Sequence, residues 1–310
     1  DLKEFSRILE AELASQDALI SQIHAHLLKM TGKFLRPVLV LLSSRVENKT
    51  SVEPLRLAAA IELIHTATLV HDDIIDNSEF RRSQPSIYAK WGREISIISG
   101  DYLYAKAFMM LASLKNTLLN EAFAQCAHVI CEGEMKQIEK RQNFLMSEEQ
   151  YLKIIHQKTA ALFQAASMGG AYYSGTSKAN IEKLGDYGYR LGMAFQIVDD
   201  CLDIVGETES LGKTAGLDIY KNDVTLPLLY LFQSLDRVRG EKLLADMKSA
   251  REGLFEEVRS LCRETKAVDR AMAKAREYAD EALRDLEGLK PTVYRESLKN
   301  LAIFCIERVH

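Results

Sequence analysis

Leu63-Ile64-His65-Thr66-Ala67-Thr68-Leu69-Val70-His71-Asp72-Asp73-Ile74-Ile75-Asp76 is an apolar run that closes on three carboxylates. It reads as the end of a long helix, because it contains neither proline nor glycine and its apolar residues return after three or four positions. At about 100° per residue, Asp72 and Asp76 stack on one helical face. A second stretch, Phe195-Gln196-Ile197-Val198-Asp199-Asp200-Cys201-Leu202-Asp203, repeats the Asp-Asp-x-x-Asp pattern and stacks Asp199 on Asp203. Acidic residues at this spacing repel by about a few tenths of a kcal/mol, so a cation is expected to offset them. Carboxylate oxygens suit Mg²⁺, which binds one or two of them, keeps waters and grips substrate phosphates. Two such helices facing each other would hold a diphosphate among metal ions. A solvated acidic face explains a single copy of the pattern equally well; two copies with apolar flanks favour carboxylates that point into a cavity.

Outward from these helices the chain reads as all-α. Only five prolines occur, and none lies between Pro85 and Pro227. Apolar residues recur at helical spacing nearly everywhere, while the alternation of a strand is scarce. Helices are expected near 2–30, 35–47, 53–75, 94–112, 118–140, 148–174, 178–205, 224–234, 253–265, 268–286 and 292–308. Pro54 starts one, Gly100-Asp101 is expected to interrupt or bend another, and Gly206 ends a third. No repeat of fixed period and no low-complexity tract is present. The expected architecture is a single domain over 1–310, a bundle of ten or more helices around a central cavity.

Composition excludes several functional classes. Hydrophobic residues make up 47% and charged residues 27% of the 310, and no segment approaches the roughly 20 uninterrupted apolar residues of a membrane span. The net charge of -4, from 40 basic and 44 acidic residues, provides no global field for nucleic acid or an anionic bilayer. The five cysteines, Cys126, Cys131, Cys201, Cys262 and Cys305, include no CxxC pair, so buried thiols in a reducing cytosol are expected. Residues Asp1 to Ala14 lack the apolar segment of a signal peptide, and a cytoplasmic location is expected.

A diphosphate also needs donors. Gly32-Lys33-Phe34-Leu35-Arg36-Pro37 sets two cations at a helix start, Arg81-Arg82 follows the first aspartates, and Lys158-Thr159 and Lys213 frame the second. Together with Gly100-Asp101, Gly133-Glu134, Gln137, Gly212 and Thr225-Leu226-Pro227, these motifs resemble, in order, those of the trans-isoprenyl diphosphate synthases, or polyprenyl synthetases. That resemblance implies an Mg²⁺-dependent prenyltransferase, with three ions, that joins an allylic diphosphate to isopentenyl diphosphate. It implies Asp72 and Asp76, with Asp73 beside them, as one metal site and Asp199 with Asp203 as the other. Lys33, Arg36, His65 and Arg82 would hold isopentenyl diphosphate; Arg81, Lys158, Thr159, Gln196 and Lys213 would contact the allylic diphosphate. Helical spacing agrees in part, since His65 precedes Asp72 by seven residues and Gln196 precedes Asp199 by three. The family is usually homodimeric. One position departs from its pattern: Asp223 stands where a lysine is usual, with Lys221 two residues away.

Product length is expected to be read one turn below the first aspartates, about 5–6 Å down the helix. Small residues stand there, Ala67 and Thr68. In this family bulky aromatics at that level make a floor for short products, so a long-chain product is expected, with Phe108, Met109 and Met110 as candidates for a deeper floor. A greasy product would allow transient membrane contact at release. The competing readings are a shorter-chain farnesyl or geranylgeranyl synthase, a non-catalytic partner subunit, a class I terpene cyclase, and a helical metal phosphohydrolase built on His71-Asp72.

Overall fold

The computed structural model describes residues 1–30, 32–206, 216–249 and 251–308. Its helices in chain order are α1 (Leu2–Leu13), α2 (Ala18–Lys29), α3 (Leu35–Ser44), α4 (Glu53–Ile75), α5 (Ile87–Ser113), α6 (Thr117–Lys140) and α7 (Glu148–Ile155). After a π-helical turn (His156–Ala160) come α8 (Ala161–Ser174), α9 (Lys178–Val205), α10 (Leu217–Lys221), α11 (Leu226–Ser234), α12 (Arg237–Lys248), α13 (Leu254–Glu264), α14 (Ala267–Asp285) and α15 (Val293–Glu307). The only strands among the described residues are β1 (Phe80–Arg81) and β2 (Gln84–Pro85), a minimal antiparallel hairpin. The fold is all-α, as the spacing of apolar residues requires. Among the described residues no helix is long and apolar enough to cross a membrane.

The chain divides into two compact units, one formed by Asp1–Ala127, Ala165–Gly185 and Gly288–Leu298, the other by His128–Gln164, Asp186–Glu287 and Lys299–His310. In the first, α4 is the central element and packs against α1, α3 and α5. Its Leu57 to Ile61 stretch, Leu63, Ile64, Ala67 and Val70 are all buried, so the middle of the helix is covered by protein. Pro54 sits in its first turn, where a missing N–H costs nothing. In the second unit, Ile197, Val198 and Cys201 of α9 join Leu228, Leu229 and Leu231 of α11 and residues of α13 and α14 in one apolar core.

Local chemistry sets the boundaries. The expected helix at 2–30 is two helices, because the Asp17 side chain accepts the Leu19 and Ile20 amides and caps α2. Ser147 and Gln150 form a reciprocal capping box at the start of α7. Gly100 does not bend its helix. It lies within the regular part of α5, where an added methyl would overlap the His71 ring, so glycine there provides space rather than flexibility. The bend is at Gly92, with φ 81° and ψ 176°. Helices α10 and α12 and the β-hairpin were not foreseen from the sequence. Of the five cysteines, Cys131 is exposed rather than buried, because it falls on the outer side of α6.

Gly92 tests this assignment. A Cβ there would meet nothing within 4 Å, so backbone strain is the whole cost of a side chain. Gly92→Ala is expected to lose about 1–3 kcal/mol of stability, the range for a non-glycine residue in a glycine-only region. Thermal or urea denaturation checks this.

Candidate active site

The last turn of α4 presents the first aspartates. Asp72 and Asp76 are partly exposed, and Asp76 ends the helix with its amide donating to the Asp72 carbonyl at 2.9 Å. Asp73, one position round the helix, is only 2% exposed. Its Oδ1 accepts both Nε and Nη2 of Arg81, at 2.8 and 2.7 Å. A buried carboxylate needs such a partner, and removing either member of a buried pair typically costs about 3–5 kcal/mol. Arg81 is therefore held by protein before any substrate arrives, with Nη1 as its remaining guanidinium nitrogen.

Arg82 occupies the hairpin turn with φ 50°, and Ser83 follows at φ 60°. Two successive positive φ values are the mark of the tight turn that suits strand twist, here made without glycine or asparagine. The turn directs Arg82 Nη1 to the Met30 carbonyl at 2.6 Å. Its guanidinium lies so close to Gly32 that an added methyl would overlap it. The same unit brings Arg36, Arg81 and Arg82 around His65, whose pKa is held well below its ordinary value, first by burial and then by these three cations. His65 is thus a neutral imidazole at physiological pH. Lys33 is exposed, and α3 begins nearby without a side-chain cap on its first amides.

Glu62, one turn before His65's neighbours, was missed in the sequence. It is 6% exposed and lines an apolar cavity with Met30, Phe34, Leu63, Arg81 and Arg82. Burial pushes its pKa up to about 7, against the pull of Arg36 and Arg82. A glutamate in an apolar helix carries no sequence signal beyond its position. Of the two residues expected to gauge product length, Ala67 is wholly buried and Thr68 is partly exposed, its hydroxyl donating to the His65 carbonyl at 2.7 Å. His71, Tyr104 and Phe108 stack in a row, at 6.1 and 6.5 Å between ring centres; Met110 is buried and Met109 exposed.

In the second unit, Lys158 and Thr159 lie on the π-helical turn, a local widening common at functional sites. Gly133 of α6 lets that turn approach, for a Cβ there would sit 2.7 Å from the Lys158 amide nitrogen. The next residue, Glu134, pairs with Lys158 Nζ at 2.6 Å. Thr159 donates to Gln196 Oε1 at 2.7 Å, and Gln196 Nε2 donates to Asp200 Oδ1 at 2.8 Å. Asp200 also accepts the Tyr151 hydroxyl on Oδ2 at 2.6 Å. Burial raises the Asp200 pKa to about 7, the hydrogen bonds from Tyr151 and Gln196 oppose this, and Asp199 and Asp203 add to it.

The flanking aspartates differ. Asp199 is partly exposed and meets Arg308 Nη1 at 3.0 Å. Asp203 is wholly buried, and its Oδ2 accepts the Asp218 amide at 3.1 Å. Asp223, the departure from the family pattern, is buried and bound to Arg141 Nε at 2.8 Å, so it serves as half of an ion pair. Lys213 and Gly212 lie outside the described residues. Among the described residues no three or more His, Cys, Asp or Glu side chains are grouped so as to hold a metal ion.

A family model described as polyprenyl synthetase matches residues 17–264. Heptaprenyl diphosphate synthase component 2 of Geobacillus stearothermophilus is 36% identical over 99% of this chain and 96% of its own length. Octaprenyl diphosphate synthase of Haemophilus influenzae is 32% identical, over 99% of this chain and 94% of its own. The structure of a polyprenyl synthase from Caulobacter crescentus CB15, complexed with calcium and isoprenyl diphosphate, matches with a TM-score of 0.95 and 36% identity, covering 100% of this chain and 95% of that one.

Glu62 gives a pH test. Its folded pKa, about 7, lies above the ordinary 4.5, so the stability it contributes is full below pH 4.5 and is lost as pH rises through 7. Glu62→Gln removes that titration. The variant is expected to gain on wild type between pH 5 and pH 8 by a few kcal/mol at most, on the scale of about 1.4 kcal/mol per pKa unit. Melting temperatures across that range measure it; a difference that is flat with pH would contradict the burial argument.

Proposed function

The chain belongs to the polyprenyl synthetase family and is a prenyltransferase of its long-chain type, and from that premise we propose the reaction and the residues that carry it. It condenses an allylic diphosphate, such as farnesyl or geranylgeranyl diphosphate, head to tail with isopentenyl diphosphate, in repeated steps, to an all-trans polyprenyl diphosphate. One observation supports this most. In each Asp-Asp-x-x-Asp cluster the middle aspartate is buried and hydrogen-bonded by protein, while Asp72, Asp76 and Asp199 stay partly exposed.

Asp72 with Asp76, and Asp199 with Asp203, are the carboxylates that would hold Mg²⁺, taken as three ions from the family. All-oxygen donors suit that ion. The fit is best at Asp72 and Asp76; Asp199 must exchange Arg308, and Asp203 must share its carboxylate with the Asp218 amide. Bound there, Mg²⁺ supplies Lewis acidity to the departing diphosphate. Lys158, Lys213 and Arg81 add positive charge where the leaving group gains negative charge. Thr159 and Gln196 orient the allylic diphosphate. Lys33, Arg36 and Arg82 bind the diphosphate of isopentenyl diphosphate, beside the uncapped amides of α3, and neutral His65 contributes a hydrogen bond without further charge.

The isopentenyl double bond attacks the allylic carbon as its bond to diphosphate breaks. A proton then leaves the new chain to the released diphosphate, and the apolar surroundings exclude water from the cationic intermediate. The two units act as one functional domain. The protein works as a homodimer in the cytoplasm, touching membrane only while a greasy product leaves.

Purified protein given farnesyl diphosphate, isopentenyl diphosphate and Mg²⁺ is expected to release diphosphate and yield products beyond about twenty carbons, the long-chain range, by chromatography. Products that stop at twenty or fewer would favour the shorter-chain reading, and turnover without isopentenyl diphosphate would favour a cyclase. Asp72→Asn and Asp199→Asn are each expected to lower kcat by about 10²–10³, the scale of losing one electrostatic stabiliser. Thr68→Phe is expected to shorten the products. It is the cleaner substitution, since a ring at wholly buried Ala67 would also overpack the core.

A further inference from the structure

Tyr151 belongs to none of the motifs above, yet its position is unusual. The ring is 1% exposed, so it cannot touch a substrate. Its hydroxyl begins a chain of three hydrogen bonds: to Asp200 Oδ2 at 2.6 Å, from Gln196 Nε2 to Asp200 Oδ1 at 2.8 Å, and from Thr159 Oγ1 to Gln196 Oε1 at 2.7 Å. The chain has one consistent sense. With Asp200 ionised and accepting at both oxygens, Gln196 turns its NH₂ toward Asp200 and its carbonyl toward Thr159. Reversing the amide would set its oxygen against the carboxylate. Tyr151 also lies on α7, just before the π-helical turn, so it ties the helix leading into Lys158 and Thr159 to the aspartate-bearing helix α9.

The two clusters differ at their middle aspartate. Asp73 is bound by a guanidinium, which cancels a charge. Asp200 is bound by a phenol and an amide, which fix the side chain without setting a counter-charge against it.

We propose that Tyr151 is a positioning residue of the prenyl transfer, holding Asp200 and through it the Gln196 amide and Thr159 hydroxyl in the orientation that receives the allylic diphosphate. The inference rests on the prenyltransferase reading and on Thr159 and Gln196 as its allylic contacts. Tyr151→Phe removes the hydroxyl and keeps the ring. It is expected to lower kcat/KM for the allylic diphosphate by about tenfold or more, the scale of a hydrogen bond to a charged group, with KM for isopentenyl diphosphate within about twofold. Asp200→Asn is a second route, because it replaces a carboxylate that accepts from both Tyr151 and Gln196 with an amide that can accept on one side only, and it is expected to show the same split between substrates.

Tyr230→Phe is the matched control, for Tyr230 donates to Glu148 at 2.8 Å in the same unit without joining the chain. It is expected to leave both kinetic constants unchanged. Wild-type kinetics in Tyr151→Phe and Asp200→Asn, or equal losses for both substrates that follow melting temperature in Tyr151→Phe and Tyr230→Phe alike, would overturn the inference while leaving prenyl transfer standing. A wild-type protein that transfers no prenyl group overturns the functional reading first, and this inference with it.

Discussion

A carboxylate carried on a helix that is apolar on almost every side cannot remain there without a donor, and the arrangement of charge in this protein follows from how that requirement is met. Asp73 and Asp200 both turn inward from their helices, one position round from the aspartates that face outward. Each is anchored, the first by two nitrogens of Arg81 and the second by Tyr151 and Gln196. Desolvation without those partners would neutralise the acid or unseat the helix. With them, the adjacent Asp72 and Asp199 each sit on a fixed support within their own unit.

The cationic groups are bound by the same physics. Arg81, Arg82, Arg141 and Lys158 all have protein acceptors in the structure: Asp73, the Met30 carbonyl, Asp223 and Glu134. Holding a guanidinium or ammonium in place beforehand reduces the ordering cost when an anion binds. Small residues make such approaches feasible. Gly32 leaves room for Arg82 and Gly133 for the turn that carries Lys158, so these motif glycines act through the volume they lack. Asp223 belongs to the same account. Where a lysine was expected, the chain has a buried Asp223–Arg141 pair that joins the end of α6 to the segment before α11, and the local charge is balanced by a side chain far away in sequence.

Much of this was legible from residues alone. The all-helical fold follows from apolar spacing and the scarcity of proline, and the stacking of Asp72 on Asp76 and of Asp199 on Asp203 follows from helical geometry. The errors were local. Gly100-Asp101 is expected from the sequence to interrupt or bend its helix, but the room Gly100 leaves for the His71 ring outweighs roughly 1 kcal/mol of lost propensity. The bend fell to Gly92, whose φ of 81° no side-chain-bearing residue adopts cheaply. The hairpin at residues 80–85 was invisible because its turn uses Arg82 and Ser83 rather than the glycine or asparagine that signals such turns.

By itself, the sequence determined the secondary structure class, the family, and which residue types are available for metal and diphosphate chemistry, since those depend on composition and on spacing along one helix. Tertiary structure alone decided which aspartate of each cluster is spent on the fold, that Asp203 accepts a backbone amide, and that Glu62 and Tyr151 stand beside the motifs. The reason is range. Helical periodicity relates residues up to about a turn or two apart, whereas Tyr151 and Asp200, or Arg141 and Asp223, meet only after the chain between them has folded.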